Sequence, residues 1–352
     1  MKNPISLILV TWALCGCAAP RPAVWSEEGV VPAAESPPAS ASLSPGEKLF
    51  VAHFVGDYDL SIIDRASREV ERLVSFRSTN AISVAPNPLL QEVYVAVENG
   101  SAFYVVDVLA AKVKAFPRTV GWNSNNSVVD PGGQRVYLST SGAYGRAPME
   151  SQVLAFDTGS RAVVQTTKLG SYDQRRTNPI ELSPDGQKIY AIDNTSGKLF
   201  VIQAENGTIE QTIDSPGRRI LGIEPDGTAL YVSGDQGVSK LRVDRWTETW
   251  SVPAPSHVAA IGSGRLAALV EGKVLLLDSL SGEIVFERKV RSPSGISFSL
   301  DQSEIYVSSG RMARVHLLKA ESGAKVGSIK LLTGSFPNKI AAMQVETRTA
   351  RH

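Results

Sequence analysis

The fold is decided by a ten-residue stretch, Ser-Pro-Asp-Gly-Gln-Lys-Ile-Tyr-Ala-Ile, at residues 183–192. Proline fixes φ for a turn, and the Asp-Gly pair supplies a corner that tolerates a left-handed backbone. The turn leads directly into an apolar–aromatic–apolar segment, which is typical of a buried β-strand. The stretch therefore predicts a tight turn followed by a strand.

The same unit recurs along the chain. Its central positions lie 36 to 53 residues apart, and five of the seven are Tyr. These positions are Phe50, Tyr94, Tyr137, Tyr190, Tyr231, Ala267 and Tyr306. Three further short strand-like segments fit within each repeat, and four strands in about 40 residues is the period of a propeller blade.

The repeats resemble the YVTN-type β-propeller repeat family, whose units join a Ser-Pro-Asp-Gly turn to a strand with a central Tyr. The resemblance covers residues 43–346, and the unit near residue 265 matches least well. It implies an all-β fold, a seven-bladed β-propeller of four-stranded antiparallel blades, with the innermost strand directly before each turn. Ile340–Val345 is then expected to pair beside Leu49–Phe54 and close the ring within the first blade. An open repeat array is the alternative.

The N-terminus resembles the signal peptide of a bacterial lipoprotein. Residues 1–16 combine Lys2 with a short apolar run, too short to span a bilayer. The motif Leu14-Cys15-Gly16-Cys17 is similar to a lipobox, which implies lipidation of Cys17. The resemblance, with Ala18 after the cysteine, implies a lipid-anchored protein of the bacterial cell envelope that is exported to the outer membrane. An ordinary secretory signal cut near Ala18 or Ala19 is the alternative.

The segment after the signal is rich in Pro, Ala and Ser and has almost no apolar periodicity. Residues 17–42 are therefore predicted to be a tether. The propeller domain is predicted at 43–346, followed by a tail at 347–352. The only membrane contact expected is through the lipid anchor.

Composition and motifs exclude several classes of function. The 36 Lys and Arg against 35 Asp and Glu give a net charge of +1, which argues against a nucleic-acid partner held by bulk charge. The chain has only two Cys, which excludes a disulfide scaffold, and its four His are isolated in sequence, which argues against a His-rich metal site. The chain has no G-x-S-x-G, Walker or H-E-x-x-H motif. We expect no cofactor and no metal.

Two long insertions belong to the third repeat, at residues 141–150 and 170–178. Strand alternation places both on the face of the ring opposite the Pro-Asp-Gly turns, here called the top face. Long loops on a rigid scaffold often carry function, although they also arise as tolerated surface variation. The candidate contact residues in them are Tyr144, Arg146, Tyr172, Arg175 and Arg176.

The connections into the innermost strands carry basic or titratable groups, which predicts a positive channel mouth. The members are Arg77, Arg118, Arg175, Arg176, Arg218, Arg219, His257, Arg291 and Lys339. Such a ring could hold carboxylate or phosphate groups, and Trp122 adds an aromatic surface. The alternative is that these side chains are solvated or ion-paired. Arg219, His257, Arg291 and Trp122 complete the set of candidate contacts.

The main functional hypothesis is a non-enzymatic scaffold that binds an envelope protein or an anionic glycan through the top face. The alternative is a propeller hydrolase of lactonase type, with Glu181 or Glu224 as the catalytic carboxylate. Both acids lie near the ends of predicted innermost strands. The His and Arg partners expected by resemblance to propeller lactonases cannot be matched from the sequence. A third hypothesis is an envelope assembly or cofactor-maturation factor.

Overall fold

A computed structural model describes residues 43–76, 80–97, 103–115, 122–141, 150–171, 179–193, 196–332 and 335–346. Within these ranges the side chains of residues 115, 122–125, 141, 150 and 171 are not described. The described residues form strands and turns and no helix, so none of them belongs to a helix able to cross a membrane.

Twenty-eight strands are formed by the described residues. The first eleven are β1 (Gly46–His53), β2 (Leu60–Asp64), β3 (Glu69–Val74), β4 (Ala81–Asn87), β5 (Glu92–Val97), β6 (Phe103–Asp107), β7 (Lys112–Ala115), β8 (Trp122–Val129), β9 (Arg135–Ser141), β10 (Glu150–Asp157) and β11 (Ala162–Ser171). The next eight are β12 (Ile180–Leu182), β13 (Lys188–Asp193), β14 (Lys198–Gln203), β15 (Ile209–Asp214), β16 (Arg219–Ile223), β17 (Ala229–Gly234), β18 (Gly237–Arg242) and β19 (Thr247–Val252). The last nine are β20 (Val258–Gly262), β21 (Arg265–Val270), β22 (Lys273–Asp278), β23 (Ile284–Lys289), β24 (Pro293–Phe298), β25 (Glu304–Ser309), β26 (Arg314–Lys319), β27 (Lys325–Lys330) and β28 (Pro337–Val345).

The strands form seven antiparallel sheets of four strands each, which are the seven blades of a β-propeller. Blade 1 has the order β28-β1-β2-β3, and blades 2 to 7 follow in chain order from β4 to β27. The predicted innermost strands are confirmed as β4, β8, β12, β16, β20, β24 and β28. Each contacts the next around the ring, and β24 contacts β28. The chain is therefore a closed ring rather than an open array.

The C-terminal strand closes the ring, as the resemblance implied. In blade 1, β28 pairs antiparallel with β1, and Ala341 lies opposite Phe50. The innermost strand of this blade therefore comes from one end of the chain and its other three strands from the opposite end. This pairing covers the inner edge of β1, which would otherwise present unpaired backbone groups.

The core lies between the blades. Each of the seven blade-to-blade interfaces holds its own apolar cluster among the described residues. The recurring central residues predicted from the sequence all lie in these interfaces, and none is more than 3% exposed. Burying one aromatic side chain stabilises the fold by about 2 to 3 kcal/mol. The aromatic repeat in the sequence is thus the signature of blade packing.

Candidate functional site

Glu181 is the one acidic side chain at its level of the inner wall. It lies opposite Tyr190 in blade 4, and the other blades place Ala85, Val128, Gly222, Ala260, Ser297 and Ala341 opposite their own central residues. Its neighbours Ile180 and Leu182 pack into the cluster between blades 3 and 4. Because side chains alternate along a strand, Glu181 lies on the other face of the blade, the face that carries Tyr190. The charge of Lys339, from blade 1 on the far side of the ring, acts on Glu181, which places the carboxylate at the central channel.

Two cations stand one level higher on the same wall. Arg219 in β16 lies opposite Ser233, and Lys339 in β28 lies opposite Ala52. Both positions are two residues beyond the level of Glu181 in the shared register, so their side chains belong to the same face of the blades. Glu181, Arg219 and Lys339 are contributed by blades 4, 5 and 1.

The channel changes the protonation equilibria of these groups. Burial raises the pKa of Glu181 to about 7, and the positive charge of Lys339 opposes this rise only in part. The Glu181 side chain is half-buried, and the protein that surrounds it removes most of the water from its carboxylate. Burial also lowers the pKa of Lys339, which Glu181 partly offsets and Arg219 reinforces. The charge of Lys339 therefore interacts with those of both Glu181 and Arg219 in a poorly solvated space.

His257 belongs to the same group of charges. It precedes β20, is exposed, and its pKa is lowered by partial burial and then by the positive charge of Arg219. The described residues give Glu181 and Lys339 no ion pair within 4.0 Å. A carboxylate with a pKa near neutrality, opposed by cations across a gap, can exchange a proton with a ligand in that gap.

Glu224 has a different environment. Its carboxylate accepts hydrogen bonds from the Tyr231 hydroxyl and from Lys240 Nζ, the latter at 2.7 Å. Lys240 also donates to the carbonyl of Ser279 in the next blade, at 2.8 Å. Glu224 is thus held in a clamp between blades 5 and 6 and does not join Glu181.

Most of the predicted top-face contacts lie outside the described residues. This holds for Tyr144, Arg146, Tyr172, Arg175 and Arg176, and for the side chain of Trp122, whose backbone begins β8. The scaffold hypothesis stays a prediction at these positions. Capture of an envelope protein or glycan by the full chain, and its loss in an Arg146/Arg175/Arg176→Ala variant, is the test.

The remaining predicted residues divide between two places. Arg219 and His257 join Lys339 and Glu181 at the channel, whereas Arg291 lines a separate pocket between blades 6 and 7. Sequence reasoning placed all of these basic groups in one ring, because it assigns a residue to a face of the propeller but not to a radius. Among the described residues, no three His, Cys, Asp or Glu side chains are grouped as metal ligands.

Comparison with known proteins adds the fold relatives. No protein-family model matches the sequence, and no curated protein matches it. Among solved structures, the chain is similar to the periplasmic gluconolactonase of Pseudomonas aeruginosa, with a TM-score of 0.65, 15% identity, and coverage of 85% of this chain and 99% of that one. It is also similar to a candidate 6-phosphogluconolactonase of Bacteroides fragilis, with a TM-score of 0.67, 13% identity, and coverage of 86% and 99%. At this identity the likeness establishes the propeller fold.

Proposed function

We propose that the protein is a lactone hydrolase whose active site is the central channel around Glu181. The observation that carries the proposal is the isolated carboxylate of Glu181, with a pKa of about 7, facing Lys339 and Arg219. The two propellers of similar fold, one a gluconolactonase, support a sugar-acid lactone as the substrate class.

The chemistry follows from the charges. Ionised Glu181 accepts a proton from water, and the resulting hydroxide adds to the lactone carbonyl. Lys339 and Arg219 stabilise the negative charge that develops on the carbonyl oxygen. When the ring C–O bond breaks, protonated Glu181 returns its proton to the leaving oxygen. One lactone and one water become one hydroxy acid. Its carboxylic acid releases a proton to solvent, and the resulting carboxylate remains opposite the two cations.

The test is hydrolysis of δ-gluconolactone by the full chain, measured as acid release above the uncatalysed rate. Glu181→Gln keeps the size of the side chain but removes the base, so we expect kcat to fall by about 100-fold or more. The matched control is Glu248→Gln on the exposed strand β19, which should retain full activity. Absence of wild-type activity, or equal activity of Glu181→Gln, would contradict the proposal.

The pH dependence has a defined sign. The active form has ionised Glu181, so kcat/KM should rise tenfold per pH unit below about 7 and reach a plateau above it. A profile that falls with rising pH in this range would show that Glu181 acts only as an acid.

We further propose that this activity is tethered in the cell envelope through Cys17. The support is the lipobox-like motif ending at that residue. Metabolic labelling with a fatty acid should mark the wild-type chain and a Cys15→Ser variant but not Cys17→Ser. Labelling of Cys17→Ser would refute the anchor.

A further inference from the structure

A second pocket lies between blades 6 and 7, away from the channel. It has a volume of about 490 Å³ and is lined by residues from β23, the outermost strand of blade 6, and from β26 and β27, the two outer strands of blade 7. Its lining includes Arg288, Lys289, Val290, Arg291, His316 and Lys325. The mechanism proposed above uses none of these residues.

The repeat itself explains why this interface is open. At the interface of blades 1 and 2, four apolar side chains belong to one packed cluster: Val74, Phe76, Tyr104 and Val113. Counted in the same strand register, the interface of blades 6 and 7 has in their places Arg288, Val290, His316 and Lys325.

The side chains at these positions of blades 6 and 7 do not fill the space between the two blades. Phe76 and Tyr104 stack with their ring centroids 4.3 Å apart and their planes 7° apart. The corresponding pair, Val290 and His316, is smaller and leaves a pocket. A core interface normally closes such a void, because unfilled contacts cost stability. Here polar and basic residues line the void instead of filling it.

The charge of the pocket is strongly positive. Arg288, Lys289, Arg291 and Lys325 are all exposed, and none forms an ion pair within the described part of the chain. The acidic residue beside them, Glu287, is paired with Lys273 Nζ at 2.9 Å. Arg288 and Val290 share the pocket face of β23, whereas Lys289 alternates to the other face of the blade. Arg288, Arg291 and Lys325 therefore remain around the pocket; their charges repel each other, and a bound anion would relieve that repulsion.

The floor of the pocket offers one more polar atom. Nε2 of His316 is buried and has no hydrogen-bond partner. Burial lowers the pKa of His316, and the charges of Lys325 and Arg314 lower it further, so the imidazole is neutral near pH 7. A buried polar atom without a partner among the described residues costs free energy, so this imidazole is poorly satisfied where it stands.

We propose that this pocket binds a small molecule carrying a phosphate group. A phosphate monoester brings two negative charges and several acceptor oxygens, which suits two arginines and one lysine better than a single carboxylate does. The volume is in the range of small-ligand sites. A lipid headgroup and a soluble phosphate ester share this chemistry.

Calorimetric titration of the full chain with glycerol 3-phosphate tests the proposal, with glycerol as the uncharged probe. The chain carries Cys17→Ser so that no acyl chain contributes to vesicle binding. We expect binding of glycerol 3-phosphate and none of glycerol. Absence of binding at millimolar concentrations, or equal binding of glycerol, would overturn the proposal.

The internal repeat supplies the decisive variant. Val290→Phe with His316→Tyr builds the aromatic pair of blades 1 and 2 into this pocket, and should weaken binding at least about tenfold. Arg288→Met with Lys325→Met should do the same while leaving the packing in place, which covers the case in which the aromatic variant does not fold.

The control variant is Arg219→Met with Lys339→Met, which removes the channel cations and should leave binding unchanged. Loss of binding in this control, with full binding in the pocket variants, would move the phosphate to the channel and refute the pocket. Vesicles of phosphatidylcholine, with and without phosphatidic acid, distinguish the sources. If only the phosphatidic acid vesicles displace bound glycerol 3-phosphate, the site binds a lipid headgroup. If neither kind of vesicle displaces it, the site binds a soluble phosphate ester.

Discussion

Single residues in a left-handed conformation close the hairpin between the third and fourth strands of every blade. The seven positions have φ between 48° and 77°. Three are glycine and the others are Arg68, Ala111, Arg161 and Trp246. In most of these turns the backbone N–H of this residue donates to the carbonyl four residues earlier. The turn geometry is therefore kept even where the side chain disfavours it.

A comparison of Gly282 with Gly264 distinguishes backbone strain from steric crowding of an added side chain. Both have positive φ, 77° and 68°. A Cβ on Gly282 would lie 2.7 Å from the Trp250 ring, whereas a Cβ on Gly264 would meet nothing within 4 Å. We expect Gly264→Ala to lower the free energy of unfolding by about 1 kcal/mol and Gly282→Ala by about 2 to 3 kcal/mol. Urea denaturation measures both, and equal losses would show that the ring moves aside freely.

Asp59 makes stability depend on pH. It is 5% exposed, and burial raises its pKa to about 6 against the hydrogen bonds from the Phe76 N–H and Ser75. The folded state therefore holds the proton more tightly than the unfolded state, and this contribution is lost as pH rises from about 4 to 6. The difference of about two pH units corresponds to roughly 3 kcal/mol.

Asp59→Asn should flatten this part of the stability profile, because the amide oxygen can still accept from Phe76 and carries no charge. Denaturation midpoints at pH 4, 5, 6 and 7 measure the effect. Glu181 also makes the free energy of unfolding fall with rising pH, up to about pH 7. The two single variants, compared with the double variant Asp59→Asn with Glu181→Gln, therefore separate the contribution of each acid. An unchanged slope in Asp59→Asn would contradict the assignment.

Two pairs of blades are joined by an acid at the start of a blade's second strand, Glu92 in blade 2 and Glu304 in blade 7. Glu92 in β5 accepts from the Tyr94 hydroxyl at 2.8 Å, from Lys114 at 2.9 Å and from Arg161 of blade 3 at 2.6 Å. Glu304 in blade 7 repeats the pattern with the Tyr306 hydroxyl and with Arg65 of blade 1. The recurring Tyr is thus both a packing residue and a hydrogen-bond donor.

Removing the cation from such a clamp should cost more than removing an exposed one. Arg161→Met leaves the carboxylate of Glu92, 1% exposed, without its bidentate partner. We expect a loss of about 2 to 4 kcal/mol in the free energy of unfolding. Arg245→Met is the matched control, because Arg245 is exposed and its ion pair with Asp244 is long, at 3.7 Å. This variant should change the free energy of unfolding by less than about 1 kcal/mol.

The strand order of the blades could be predicted, but the clamps could not. The Pro-Asp-Gly turns and the apolar strands are local signals, so residues 183–192 were sufficient to identify blade 4. The partner of Glu92 lies 69 residues away, at Arg161. A contact of that separation depends on how blades pack and leaves no mark at either position. Glu224 was considered for catalysis because its position near the end of a strand is visible in the sequence, whereas its hydrogen bonds with Tyr231 and Lys240 are not.

The whole ring brings together residues that the sequence keeps apart. Glu181, Arg219, His257 and Lys339 come from four blades, and only the closed ring places their charges within reach of one another. That Arg219, His257 and Lys339 lie at one end of the ring was foreseeable, because every connection into an innermost strand repeats; the full basic ring stays a prediction. The radius of each side chain was not, so Arg291 was grouped with the channel although it lines the outer pocket.

Because β28 closes the ring beside β1, we expect the propeller to tolerate circular permutation. Gly46 and Val345 are paired residues of neighbouring strands, so the two ends of the domain are adjacent. A circular permutant that joins them by a short linker and opens the chain at the Ser263–Gly264 turn should keep its melting temperature within a few degrees. Truncation after residue 336 removes β28 and should abolish cooperative unfolding. Cooperative melting of the truncated chain would contradict a closing role.

The shared origin of blade 1 also sets the order of events during synthesis. The ribosome releases β28 after all the other strands of the propeller, so a nascent chain carries an incomplete first blade until residues 337–345 emerge. During that time the inner edge of β1 has unpaired backbone groups beside buried Lys48 and its acidic partners. The last folding step of this propeller therefore waits for β28, and until then the unpaired edge is the surface for a chaperone to protect.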